Sequence, residues 1–353
     1  MGTTLCFSRA SLLFSERMPE SLPTLGRHPP RTDRGSPPGV SIVIVNWNTR
    51  EMVLRLLHQL SRSGGASTHP IELIVVDNQS SDGSVDAIRR DFPEVKLVAQ
   101  AENRGFAGGV NPGVEVATQP LVLLLNTDAH TSRESIEAVA QYMADTPDVG
   151  VVGPQILSAE HTPESSAWRD PSLTWMALAA MGINKLKPFN FERYHEKPFI
   201  RAGEVDCVSG CAMMIRRDLM VELGGFDEDY FMYFEETDFC VRARRRGTRI
   251  HHAPVGEFVH EGGGTAKSVR LRTFLDFQRS QILFHRKHGG VAAAVVARGL
   301  LALGSALRVP PLAALSLTGR SERARAQLRL QLNGLAWLAN PFSGLVPDVD
   351  RSD

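Results

Sequence analysis

Between Val40 and Met143 the chain repeats one pattern: a short, wholly apolar run that ends in a polar residue, then a stretch with helical spacing. Residues 42–45 (Ile-Val-Ile-Val) lead into Asn46-Trp47-Asn48, after which Met52, Val53, Leu56, Leu57 and Leu60 share one helical face. Asn48 with Glu51 resembles a helix-start cap. Residues 71–76 end at Asp77 and precede a helix seeded by Val85 and Ile88, with Ser84 as its candidate cap. A third strand is expected near 95–98, and a fourth over 121–125 ends in Asn126-Thr127-Asp128. Thr131 and Glu134 then read as a capping box for a helix carrying Ile136, Val139, Ala140 and Met143. Uniformly apolar strands alternating with helices predict an α/β fold, with a mainly parallel sheet flanked by helices. Ligands of such sheets bind beyond the carboxyl ends of the strands, where Asn46, Asp77 and Asp128 lie.

The 353 residues divide into three parts. Residues 1–39 are Pro-rich and read as a tail, 40–288 as the catalytic domain, and 289–353 as a helical, membrane-proximal extension. After Gly150 the alternation fades; 205–215 reads as one more strand, and 272–288 and 291–318 as helices, the second broken at Pro310-Pro311. Lys+Arg and Asp+Glu balance at 39 each, which removes the global electrostatic argument for a nucleic-acid partner. Cys6, Cys207, Cys211 and Cys240 lack paired metal-ligand spacing and read as buried free thiols in a reducing compartment. No signal peptide is expected at the N-terminus. Arg298 and Arg308 interrupt the one long apolar tract, so a spanning helix of about 18 uncharged residues is not expected.

Residues 224–247 place Asp227, Glu228, Asp229, Glu235, Glu236 and Asp238 among Phe226, Tyr230, Phe231, Tyr233, Phe234 and Phe239. Burying charge is unfavourable, so acids interleaved with aromatic rings point to a site rather than a solvated face. Asp128 at a strand end is suited to a divalent cation that neutralises a diphosphate; the alternative is a helix cap. Asp77 is placed to accept hydrogen bonds from a base or ribose, or to build a turn with Asn78 and Ser80. Asn103-Arg104-Gly105-Phe106-Ala107-Gly108-Gly109 reads as a Gly-rich loop that brings backbone and Arg104 towards phosphate, although it lacks P-loop spacing. His260, before three glycines, is a candidate metal ligand or an ordinary satisfied histidine.

Taken in order, Asn-Trp-Asn, Asp-Asn-x-Ser-x-Asp-Gly, Asn-x-Gly-Phe-Ala, Asn-x-Asp, Gly-Gly-Phe-Asp-Glu, Phe-Met-Tyr-Phe-Glu-Glu-x-Asp and His-x-Gly-Gly resemble the family-2 inverting glycosyltransferases over about residues 40–288. The likeness is to the bacterial rhamnosyltransferase-like branch. It implies a GT-A fold, with a C-terminal helical extension here, and Mg²⁺ or Mn²⁺ as cofactor. Asp128 matches the last acid of the family's metal motif, and Asn126 stands in place of the first acid. His260 matches a histidine that completes the metal site in some relatives. Asn46, Asp77 and Arg104 fall on the donor side.

The general base maps to Glu236, where relatives usually carry Asp, with Asp238 in reserve. The resemblance implies transfer from a nucleoside-diphosphate sugar, dTDP-rhamnose being favoured over UDP- and GDP-sugars. The acceptor would be a saccharide or polyprenol-linked saccharide of the cell envelope. It places the protein in the cytoplasm, with peripheral contact at the inner face of the membrane. A degenerate nucleotide-sugar-binding scaffold is the alternative. A sugar nucleotidyltransferase ranks last, because Asn46-Trp47-Asn48 offers no Gly-rich basic signature.

Overall fold

The computed structural model of the chain describes residues 38–62, 69–183, 201–262, 270–317 and 321–340. The tail expected before residue 38 and the glycines at 263 and 264 lie outside the described residues. The repeated pattern forms β1 (Val40–Asn46), α1 (Arg50–Arg62), β2 (Ile71–Asp77), α2 (Ser84–Asp91), β3 (Lys96–Ala99), α3 (Gly105–Val116), β4 (Leu121–Leu125), β5 (Ala129–Thr131) and α4 (Arg133–Asp145). β6 (Val149–Ser158), β7 (Ala167–Trp168), α5 (Leu173–Ala180), β8 (Gly203–Glu204), β9 (Cys207–Val208), β10 (Ala212–Arg216) and α6 (Arg217–Glu222) follow. α7 (Glu235–Arg245), β11 (Arg249–His260), α8 (Arg270–Leu317) and α9 (Glu322–Ala339) complete the described elements.

The main sheet runs β3-β2-β1-β4-β10-β6-β11-β5, with β8 paired to β11. The first four strands in this order are mutually parallel, as is the β6–β11 pair, whereas β10 runs antiparallel between β4 and β6. Alternate residues of each inner strand face opposite layers. On β4, Leu121, Leu123 and Leu125 join the core made with α1, α2 and α4, while Val122 and Leu124 join the core made with α3, α6 and α7. Burial on both faces is why these strands are apolar without alternation.

Local details differ from the sequence reading. The α1 amide of Arg50 donates to Asp82 Oδ2 (2.8 Å), while Asn48 sits at φ 52° and accepts from the Ser81 amide. The cap of α4 is Ser132, whose hydroxyl accepts from the Ser135 amide, because the Thr131 hydroxyl is committed to the Glu257 carbonyl. Gly83, not Ser84, precedes α2. The expected 205–215 strand divides into β9 and β10. Cys207, Cys211 and Cys240 are buried free thiols.

The break in α8 falls at Gly290 (φ 80°), and the helix continues through Pro310 and Pro311. Glycine adopts that backbone without a Cβ clash. By length and composition, Leu271–Leu317 is apolar enough to cross a membrane, with 22% of its most apolar window buried. Arg298 does not interrupt the outward face, because it turns onto α9: its Nε donates to the Leu338 carbonyl (2.9 Å) and its guanidinium lies 5.9 Å from the Trp337 ring centroid.

Candidate active site

Parallel pairing carries Asn46 and Asp77 to the same rim, directly opposite each other in register. Both are buried; Asn46 Nδ2 donates to Asp77 Oδ1 (2.8 Å), and the Ser80 amide donates to Asp77 Oδ2 (2.8 Å). Asp77 therefore holds the end of β1 with one oxygen and the loop after β2 with the other. The adjoining cleft, about 130 Å³, is lined by Trp47, Thr49, Asn78, Phe106, Thr127 and Phe231, and by Arg272 and Asp276 from α8.

The residues after β4 reach this rim too. β11 returns antiparallel to β5 with His260 opposite Ala129, and the Glu261 amide donates to the Asp128 carbonyl (3.0 Å). His260 Nε2 then lies 3.4 Å from Asp128 Oδ2, and its Nδ1 lies 3.7 Å from Glu164. Hydrogen bonds with the Asp128 carboxylate and the Cys211 thiol push His260 up to about 11. Asn126 anchors the turn through its backbone, its amide donating to the Cys211 carbonyl and its carbonyl accepting from the Ala129 amide. Among the described residues no three His, Cys, Asp or Glu side chains form a metal cluster. One carboxylate and one imidazole that would release its proton on binding, at a rim suited to diphosphate oxygens, nonetheless fit Mn²⁺ or Mg²⁺ as a cation shared with a ligand.

The expected phosphate loop is the start of α3. Gly109 and Gly113 pack on β1, where an added Cβ would lie 2.6 Å from Val45 Cγ1 and 2.5 Å from Val43 Cγ1. These two glycines serve helix–sheet contact. Arg104 precedes α3 with its guanidinium paired to Glu228, and Glu228 also accepts from Asn111 Nδ2 (2.9 Å). Gly105 (φ 75°) lies against the Phe231 carbonyl, and the Phe106 amide donates to that carbonyl (2.8 Å).

From Phe231 onward the acidic-aromatic segment divides two clefts. Phe231 and Met232 wall the strand-end cleft; Tyr233 and Phe234 wall a second, of about 360 Å³. Tyr233 (φ 68°) and Phe234 (φ 70°) both adopt left-handed backbone, a conformation costly for bulky side chains that persists where the surroundings over-determine it. Phe277 holds both, edge-on, with ring centroids 5.6 and 5.4 Å away. α7 begins immediately afterwards, so Glu235, Glu236 and Asp238 occupy its first turn.

The three acids meet different fates. Glu236 lines the second cleft with Trp168, Trp175 and Phe277, and burial pushes its carboxyl up to about 7. Glu235 is buried, and burial with the neighbouring Glu236 drives it well above the carboxylate range. Burial would raise Asp238 as well, but hydrogen bonds from His288 and Arg242 overcome it and hold that carboxyl below its ordinary value. Gly210 separates the clefts: a Cβ there would stand 3.5 Å from Phe106 on one side and 3.8 Å from Glu236 Cβ on the other.

Sequence reasoning identified the acids but missed Trp168, Trp175, Phe277, His288 and Arg272. Paired tryptophans around Arg169-Asp170-Pro171 were the available signal for the first two.

Such a sheet, with donor-type polar groups at its strand ends and a carboxylate across a thin wall, has a GT-A fold. A mannosyltransferase from Pyrobaculum calidifontis, solved with GDP-Man and Mn²⁺, superposes with a TM-score of 0.50 at 20% identity, covering 85% of this chain and 86% of that one. GalNAc-T7, solved with UDP, GalNAc and Mn²⁺, gives 0.51 at 14% identity over 73% of this chain and 52% of that one. The family described as Glycosyltransferase like family 2 matches residues 37–278, and the chain belongs to it. It is 29% identical over 245 residues to a low-salt glycan biosynthesis hexosyltransferase of Haloferax volcanii, covering 68% of this chain and 73% of that protein. It is 27% identical over 286 residues to an N-acetylglucosaminyl-diphospho-decaprenol L-rhamnosyltransferase of Mycobacterium tuberculosis, covering 76% and 92%. The chain is a rhamnosyltransferase-like family-2 glycosyltransferase.

Proposed function

We propose that the protein is an inverting, metal-dependent glycosyltransferase that moves a sugar, with rhamnose favoured, from a nucleoside-diphosphate donor to a saccharide or polyprenol-linked saccharide of the cell envelope. The observation that carries this reading is the single wall, Phe231 to Phe234, with the strand-end cleft on one side and Glu236 on the other. The strand-end cleft takes the nucleotide; Asn46, Asp77 and Asn126 act on it through the strand-end loops that they fasten rather than by lining it. Arg104 faces the phosphates by exchanging Glu228 for the ligand. Asp128 and His260 hold Mn²⁺ or Mg²⁺, which when bound neutralises the diphosphate leaving group.

Glu236 takes the proton of the acceptor hydroxyl; the oxygen bonds to the anomeric carbon as the bond to the diphosphate breaks, inverting that carbon. A base whose pKa lies near the working pH suits this step. The diphospho-decaprenol acceptor of the mycobacterial relative and the exposed apolar residues of α8 support peripheral attachment at the inner face of the membrane.

The second reading is a nucleotide-sugar-binding scaffold without catalysis. It draws on Glu236, whose extra methylene displaces the carboxylate relative to the Asp usual in the family. A screen of dTDP-, UDP- and GDP-sugars with acceptors, with and without EDTA, tests both. Metal-dependent release of nucleoside diphosphate supports transfer; donor binding without any release supports the scaffold.

A further inference from the structure

Arg272, near the start of α8, is the one basic side chain among the described residues that line the strand-end cleft; Arg104 lies outside that lining. Its side chain is 15% exposed, and its guanidinium lies 4.6 Å from the centroid of the Phe231 ring. Its carboxylate partner among the described residues is Asp276, whose Oδ2 lies 3.7 Å from Nε, too far for a hydrogen bond. Nη1 is buried without a hydrogen-bond partner among the described residues. A guanidinium keeps its charge at any working pH and offers five N–H donors. Shielding it from water without filling those donors is unfavourable, and the face of one ring replaces only part of the lost hydration. Asp276 is a weak counter-ion, because burial pushes its carboxyl up against the pull of Arg272 and Arg279.

The position of Arg272 is set by the main chain. Two turns further along α8 the Ser280 hydroxyl donates to the Met232 carbonyl (2.8 Å), and Phe277 between them packs on Tyr233 and Phe234. α8 is thus fastened along the wall, and its guanidinium is held against the cleft rather than free to sweep. Thr127, which precedes Asp128, lines the same cleft.

We propose that Arg272 is a second cation for the donor's diphosphate, meeting its oxygens from α8 while Asp128 and His260 act from the strand ends. This rests on the strand-end cleft being the nucleotide site. Guanidinium and phosphate oxygens match as a fork, which a buried Arg with open donors is suited to make. Two side chains are a sparse ligand set for a metal ion, so part of the charge of the diphosphate falls to Arg272. Part of the nucleotide's affinity is therefore independent of metal. The same fixed guanidinium stabilises the charge that gathers on the diphosphate as the bond to the sugar breaks.

The test titrates the full chain calorimetrically with dTDP, UDP and GDP, in Mn²⁺ and again in EDTA. The nucleotide that binds best is then compared with its nucleoside, measured by competition. In EDTA the diphosphate is expected to keep an advantage of at least about tenfold over the nucleoside, and Arg272→Met should remove most of it while leaving the nucleoside unchanged. Arg272→Lys, a point charge without the fork, should fall between the two. Asp276→Asn should tighten the diphosphate several-fold, since it removes the competing carboxylate; damage to packing would not give that sign. Circular dichroism melting checks each fold, and if Arg272→Met unfolds, the Lys and Asn variants carry the test. Diphosphate affinity unchanged by the substitutions at Arg272 overturns the proposal alone, as does a loss shared equally by the nucleoside. Failure of all three diphosphates to bind in Mn²⁺ overturns the nucleotide reading, and the proposal with it.

Discussion

Asp238 Oδ1 lies 2.8 Å from His288 Nε2, so the first turn of α7 is fastened to α8 through a buried carboxylate. The other oxygen accepts from Arg242 Nε (2.6 Å), and Arg242 in turn holds the Leu223 and Gly225 carbonyls. Asp238→Asn breaks a buried charge pair and should destabilise the protein by about 3 kcal/mol. Thermal melting checks this. Abolished turnover with an unchanged melt would instead make Asp238 the base.

Glu236→Gln should lower turnover by about 10²–10⁴-fold while donor affinity stays within about twofold. In the unsubstituted enzyme kcat/KM should rise with pH through about 7 and level off above it, since burial holds the carboxyl protonated below that point. The linkage has the opposite sign for stability. The folded protein binds this proton more tightly than the unfolded chain, so stability is lost as pH rises through about 7. The Gln variant should therefore gain on the order of 2 kcal/mol over the parent between pH 5 and pH 8. Parallel pH–rate profiles and melts at both pH values check the pair of effects.

Asp128→Ala should abolish Mn²⁺ binding in the presence of a nucleoside diphosphate, and His260→Ala should weaken it at least about tenfold. Electron paramagnetic resonance of free Mn²⁺ reads this without any turnover. Unchanged binding in both variants would remove the metal assignment.

Gly105→Ala places a methyl group 2.0 Å from the Phe231 carbonyl oxygen, on a residue at φ 75°. Clash and backbone strain together should cost more than about 2 kcal/mol. A denaturant midpoint within error of the parent would show that the contact relaxes freely.

Val295→Asp, Leu303→Asp and Leu307→Asp combined should reduce flotation of the full chain with anionic liposomes several-fold, without changing its melt. The three side chains are exposed, so their replacement leaves the core intact. Undiminished flotation would count against attachment through this face.

The α/β alternation was legible because strands buried on both faces must be apolar, and because caps and turns punctuate them. Asn46, Asp77 and Asp128 were legible as strand-end residues for the same reason. Caps were misplaced by a residue or two where a distant partner, such as Glu257 for Thr131 or Asp82 for Arg50, claimed the expected group. The pairing of His260 with Asp128 depends on β11 returning beside β5 across more than a hundred residues, which local pattern does not encode. The different fates of Glu236 and Asp238 depend on His288, Trp168 and Phe277, all distant in sequence. In the glycine-rich stretch glycine was legible as close approach, and the approach seen is of Gly105 to the Phe231 carbonyl and of Gly109 to Val45 on β1.

Phe231 through Phe234 give each cleft two consecutive residues. On the proposed assignment of the clefts, the separation between donor and acceptor is a fixed count of peptide units, metered by the main chain and not by how far any side chain reaches. Aromatic walls can be exchanged to admit a different acceptor without moving it relative to the donor. Inserting or deleting one residue in that span would change the gauge itself, and with it which hydroxyl arrives opposite the anomeric carbon.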